Sequence, residues 1–159
     1  MSTNAYLMLL VFVVANIAAA SSGAFFKPGD WYERINKPSW RPRNWMFPVV
    51  WTVLYGLIAY AGWLYWLRAE WPAAAGPLAL YFVSLLINAS WSGVFFGMRR
   101  PDLAMISVGL LWLSILGMII AFHPASPGAA YLLVPYLLWV STAAVLNYQI
   151  WRMNRPLPA

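Results

Sequence analysis

The sequence predicts an all-α membrane protein, a five-transmembrane-helix bundle. Two properties of the 159 residues carry this: 63% are hydrophobic and only 9% charged, against roughly one-quarter charged in soluble domains. The charges also fall in short clusters. Arg43 to Arg68 encloses about 24 uncharged residues, Glu70 to Arg99 about 28 and Asp102 to Arg152 about 49, while a hydrocarbon core of about 30 Å needs about 20 helical residues. A third property points beyond the fold. There are eleven tryptophans, each with a broad π surface and one N–H, suited to membrane interfaces and to sites that hold flat apolar guests.

Residues 1–159 read as a single domain, taken here in chain order. The first helix is predicted over residues 5–26. Ala18-Ala19-Ala20 resembles a signal-peptide cleavage site, but Met1 to Tyr6 lacks the basic region such a signal carries, so a retained helix is the preferred reading. Lys27-Pro28-Gly29 ends it and opens the one long loop, 27–44, with Trp31, Tyr32 and Trp40 among its prolines and charges. Long loops on compact bundles are usually functional or disordered. These aromatics need an apolar surface to cover, so the loop is predicted to be a lid over the bundle mouth; an interfacial aromatic belt is the competing reading.

The second helix follows over 45–67, with Pro48 in its first turn, where the missing N–H costs little. Gly76-Pro77 opens the third, 77–98; Arg99-Arg100-Pro101 separates it from the fourth, 103–122. His123-Pro124 leads to the fifth, 128–151, which Pro135 is predicted to bend.

With five spans, the long loop, the third loop and the C-terminus share one side of the membrane. That side holds nine of the ten Lys and Arg residues, all but Arg68. The positive-inside rule then expects the N-terminus outside and the C-terminus in the cytoplasm. Topology thus accounts for the net charge of +6, and no nucleic-acid partner is expected, because the bases are not interleaved with a soluble aromatic platform.

Measured at 1.5 Å per residue from the basic side, Trp51 lies about 9 Å deep, Trp91 about 10 Å and Asn88 about 15 Å. On the fifth helix Leu146 lies about 8 Å deep, Ala143 about 12 Å and Trp139 about 18 Å. Asn88, Trp91, Ser92 and Phe95 share one helical face, as do Trp139, Ala143 and Leu146. Three helices therefore offer aromatic surface and one amide at matching depth beneath the lid, the layout of an apolar site with few polar groups. Such stripes also build ordinary bundle cores, and both readings stand at this point. Asn88 weighs toward the site, since an amide at mid-depth is costly without a partner.

No catalytic or metal-ligating residue is assigned. His123 stands alone at the opposite end, no acid lies within a predicted span, and there is no cysteine. No cofactor is obligatory. Ala15, Ala19 and Gly23, and Ala89, Gly93 and Gly97, recur every fourth residue, spacing that lets helices approach closely, within one bundle or between two copies; a homodimer is expected. Leu146, Tyr148 and Arg152 fit a proposed cholesterol pattern of low specificity, with interfacial anchoring of Tyr148 and Arg152 as the simpler reading.

Trp31-Tyr32, Lys37-Pro38-Ser39-Trp40, Trp45, and Trp51 with Leu54-Tyr55 together resemble the translocator protein / tryptophan-rich sensory protein (TspO/MBR) family. Asn88-x-x-Trp91 with Phe95-Phe96-Gly97, and Pro135-Tyr136-x-x-Trp139 with Leu146-Asn147-Tyr148, extend the resemblance over nearly the whole chain. It implies a TspO-like five-helix bundle, usually dimeric, with a cytoplasmic-side cavity closed by the first loop. It also implies protoporphyrin IX or a related tetrapyrrole as ligand, with sterols such as cholesterol in the mitochondrial members. Carried over by position, the ligand-facing residues are Trp31, Tyr32, Trp40, Pro48, Trp51, Asn88, Trp91, Trp139, Ala143 and Leu146.

Two positions depart from the family pattern: Pro42-Arg43 stands where it usually has two prolines, and Gly93 replaces a common third-helix proline, which weakens any kink expected there. The expected role is a membrane receptor or sensor that regulates tetrapyrrole metabolism. Transport of porphyrin or sterol, and light- and oxygen-dependent porphyrin degradation, are the alternatives. A bacterial cell-envelope membrane is the expected location.

Overall fold

The computed structural model describes residues 3–155, and the regular structure among them is entirely helical. It comprises α1 (Thr3–Phe25), a short α2 (Asp30–Arg34), α3 (Met46–Arg68), α4 (Ala75–Ser92), a π-helical turn (Gly93–Gly97), α5 (Pro101–Phe122), α6 (Pro127–Leu132) and α7 (Val134–Met153). Five spans are long and apolar enough to cross a membrane: α1, α3, α4 with its π turn, α5, and α6 with α7. The chain is an integral multi-pass membrane protein, and the lipid bilayer is its solvent. Exposed apolar residues such as Leu7, Leu10, Ile17, Leu86, Ile106 and Leu113 run along the outside of the helices, as expected of spans that are hydrophobic on every face. Trp45 and Trp71, each 61% exposed, mark opposite ends of the bundle, at the level where indoles favour the interface.

α1 lies between α3 and α4; α4 packs on α5, and α5 on α7. The ring closes between α7 and α3 chiefly through α6, while α7 itself touches α3 little. The half of the bundle away from the basic end is therefore the dense half. Phe12, Ile58, Tyr81, Ile115, Met118, Phe122, Leu133 and Tyr136 are fully buried, and Tyr65 stacks on Phe122 at 3.9 Å. At Gly62 on α3 there is no room for a side chain: a Cβ would sit 2.7 Å from the Phe12 ring and 2.8 Å from Tyr81. Beside this contact, Asn16 Nδ2 donates to Tyr81 OH at 2.6 Å, and Tyr81 OH donates to the Ile58 carbonyl at 3.2 Å. One polar knot thus joins three helices inside the apolar core.

Two local breaks differ from the sequence expectation. The fifth span is interrupted beside Pro135: the helix stops at Leu133 and restarts, so Pro135 occupies the first turn of α7, where the ring displaces no hydrogen bond. The Gly93 region, expected to be less kinked, instead widens into the π turn, and the Met98 N–H donates to the Gly93 carbonyl at 2.8 Å. Phe26, just beyond α1, lies across it. Cβ atoms on Gly93 and Gly97 would come within 3.4 and 2.9 Å of its ring. These glycines of the small-residue stripe are therefore used inside the bundle.

Candidate ligand-binding site

The lid contains structure of its own. Gly29 precedes α2, and Tyr32 and Ile35, three apart on one face, are 5% and 7% exposed. Tyr32 meets Phe95 and Phe96 edge-on at 6.1 and 5.4 Å, and Trp31 meets Phe95 at 6.0 Å. Burial pushes the Tyr32 phenol above its ordinary range, while Arg41 draws it back. Lys37 holds the turn: its ammonium donates to the carbonyls of Tyr32, Glu33 and Ile35 and lies 4.8 Å from the Tyr32 ring centre. The loop is thus packed on the π turn that follows α4.

Beneath it the rings form two tiers. The upper tier joins Tyr32, Ile35, Phe95, Leu146 and Ile150 with Trp31, Phe47 and Trp91. Trp91 stacks on Phe95 at 5.1 Å and donates its N–H to Asn147 Oδ1 at 3.3 Å, while Asn147 Nδ2 donates to the Pro101 carbonyl at 2.7 Å. The π turn brings Phe95 and Phe96 together under Tyr32, a local use of the widened turn often found at functional sites. The lower tier holds Trp51, 5.4 Å from Tyr55 and 6.1 Å from Tyr136. There Asn88 Nδ2 donates to Tyr55 OH at 3.2 Å, which supplies the partner its depth requires.

The tiers correct the expectation of one common depth. Trp139, placed by sequence about 18 Å below the end of its helix, meets Phe47, the second residue of α3, at 5.7 Å. α7 therefore extends several turns beyond the start of α3. Its protruding end forms a wall for the lid, and Trp51 falls opposite Tyr136 instead of Ala143 or Leu146.

Seven of the ten sequence-selected residues, Trp31, Tyr32, Trp51, Asn88, Trp91, Trp139 and Leu146, belong to these tiers. Trp31, Trp51, Trp91, Trp139 and Ala143 are half-buried, and Tyr32, Asn88 and Leu146 buried. Trp40 and Pro48 are placed differently. Trp40 is 45% exposed and donates to Gln149 Oε1 at 2.9 Å, on the outside of α7; Pro48 is exposed, its carbonyl accepting from Thr52. The cholesterol pattern is split, since Leu146 faces the upper tier while Tyr148 and Arg152 are exposed. Residues two and six positions on lie on another face of the helix.

The sequence reading assigned no role here to Phe47, Tyr55 or Tyr136, although Tyr55 and Tyr136 lay within the quoted motifs; helical spacing carries no register between helices. It also passed over Asn16, whose signal was a lone amide in an apolar run.

Open volume lies beside the tiers. An open groove of about 440 Å³ runs along the outer seam between α3 and α7, lined by Val50, Val53, Leu54, Pro135, Leu138 and Trp139. A second groove, also about 440 Å³, lies between α5 and α7 at Gly109, Trp112 and Ser141. Three buried donors in this part of the bundle have no protein partner: Trp31 Nε1, Trp139 Nε1 and Tyr136 OH. A buried polar group left unpaired is costly; Trp31 and Trp139 are half-buried, while Tyr136 is fully enclosed. Among the described residues no cluster of His, Cys, Asp or Glu is placed to hold a metal.

The model of the TspO/MBR family matches residues 8–152. Over 148 residues the chain is 38% identical to Protein CrtK of Rhodobacter capsulatus, covering 92% of each. It is 38% identical to a tryptophan-rich sensory protein of Cereibacter sphaeroides, with 92% of this chain and 91% of the relative aligned. It is 35% identical to the human translocator protein, with 90% and 88% covered.

Proposed function

Because this chain belongs to the TspO/MBR family, we propose that it is a membrane receptor or sensor. In this reading it binds a flat hydrophobic ligand, protoporphyrin IX or a related tetrapyrrole, beneath the lid and regulates tetrapyrrole metabolism. The observation that carries the reading is the set of unpaired buried donors, Trp31 Nε1, Trp139 Nε1 and Tyr136 OH, beside aromatic rings contributed by three helices. A porphyrin brings a planar apolar face for the rings and two carboxylates for the basic end, where Arg41 and Arg43 lie in the lid. Sterols such as cholesterol are flat enough for the same site. Trp139 belongs to both the seam groove and the Phe47 contact, so it borders the route by which a guest reaches the rings.

The proposal includes the basic end in the cytoplasm of a bacterial envelope membrane, and pairing with a second copy, checked by light scattering of the purified protein. Its direct test is a fluorescence-quenching titration with protoporphyrin IX. Trp51→Ala and Trp139→Ala should each weaken affinity by about 1–3 kcal/mol, the scale of stacking a flat base on an aromatic side chain. Wild-type affinity in both variants would remove the site assignment.

A further inference from the structure

The lid is tied to the last turns of α7 by polar side chains. The Asn36 N–H donates to Asn154 Oδ1 at 2.9 Å, and Asn154 Nδ2 donates back to the Asn36 carbonyl at 2.9 Å. The same Nδ2 reaches the Ile150 carbonyl at 2.7 Å, which fixes the amide to the helix end. Four residues along the lid, Trp40 Nε1 donates to Gln149 Oε1 at 2.9 Å. Lys37 gathers the carbonyls of Tyr32, Glu33 and Ile35, which ties the segment from Tyr32 to Lys37 together. Pulling on Asn36 pulls on Tyr32.

These ties are solvent-exposed, and hydrogen bonds of that kind contribute little net stability. The burial of Tyr32 and Ile35 makes the closed position the resting one. The exposed amides decide how often it is left, because they must break before the buried face can lift.

We propose that Asn154 and Gln149 form a latch that sets the opening rate of the lid, which makes Asn154 a positioning residue for guest exchange. Only the guest-exchange consequence rests on the function proposed above; lid opening can be read without any ligand.

Trypsin gives that reading on the full chain. Of the lid's basic residues, Lys27, Lys37 and Arg41 each precede proline and resist cleavage, so Arg34 and Arg43 report. Asn154→Ala should raise cleavage there three- to tenfold with an unchanged melting temperature, and speed both binding and release of protoporphyrin IX more than it alters Kd. Gln149→Ala should act in the same direction, and Gln149→Glu, which keeps the acceptor for Trp40, should restore wild-type cleavage. Unchanged cleavage in both alanine variants would overturn the latch. Faster cleavage with unchanged porphyrin kinetics would overturn the link to guest exchange alone. A wild-type protein that binds no porphyrin would sink the proposed function and leave the cleavage result to judge the latch.

Discussion

Tyr81 and Tyr136 both bury a phenol in the bundle, yet their hydroxyls meet different surroundings. Tyr81 OH accepts from Asn16 and donates to the Ile58 carbonyl; Tyr136 OH makes no hydrogen bond of comparable geometry, with the Asn88 amide its nearest polar neighbour. Removing a paired buried hydroxyl loses a net contribution of about 0.5–1.5 kcal/mol, whereas removing an unpaired one relieves a desolvation cost. Tyr81→Phe should therefore lower stability by about that amount, and Tyr136→Phe should leave it unchanged or slightly raised, as read by thermal unfolding in detergent. If Tyr136→Phe were the more damaging, the hydroxyl would have a structural partner and would not be free for a guest. At this scale the sequence is informative about residue type and less so about company. Asn88 stands out as a polar group at depth, but that Tyr55 answers it depends on how two helices slide past each other, which no spacing within either one encodes.

Helix pairs show what the small residues are for. Gly62 lies where α1 meets α3, with Phe12 and Tyr81 closer to its missing Cβ than any real methyl tolerates, while Gly109 on α5 has nothing within 4 Å. Gly62→Ala should cost about 1–3 kcal/mol through overpacking, and Gly109→Ala should be neutral or slightly stabilising because alanine favours the helix. Paired melts of the two variants check this; equal melting temperatures would show that α1 can shift without cost. The spans themselves are legible in sequence, since runs of apolar residues between charge clusters leave a bilayer-spanning helix as the one economical solution. Their interruptions are not. Leu133 ends a helix because Pro135 begins the next, and the π turn exists because two glycines let Phe26 lie against the backbone. The first depends on which side of a nearby proline the helix restarts, and the second on a neighbour distant in the chain. The offset between α3 and α7, which splits the expected plane of indoles into tiers, has the same origin.

Across the whole molecule, charge and structure agree on two unlike ends. The basic end carries the lid, the π turn and the protruding end of α7; the other is closed by Tyr65 on Phe122 and by α6 against α3. On the proposed reading, a guest that enters from the basic end would meet the half-buried indoles of Trp31 and Trp139 before the dense core, to which Tyr136 belongs. If the excess of Lys and Arg sets orientation, that entrance faces the cytoplasm. The chain contains no cysteine, so a single introduced thiol reports its side without background. Ser39→Cys in the lid and Ala125→Cys in the turn between α5 and α6 both occupy exposed positions. In intact spheroplasts a membrane-impermeant maleimide should label Ala125→Cys at once and Ser39→Cys only after permeabilisation. The reverse pattern would place the lid on the outer face and overturn the orientation read from the Lys and Arg bias.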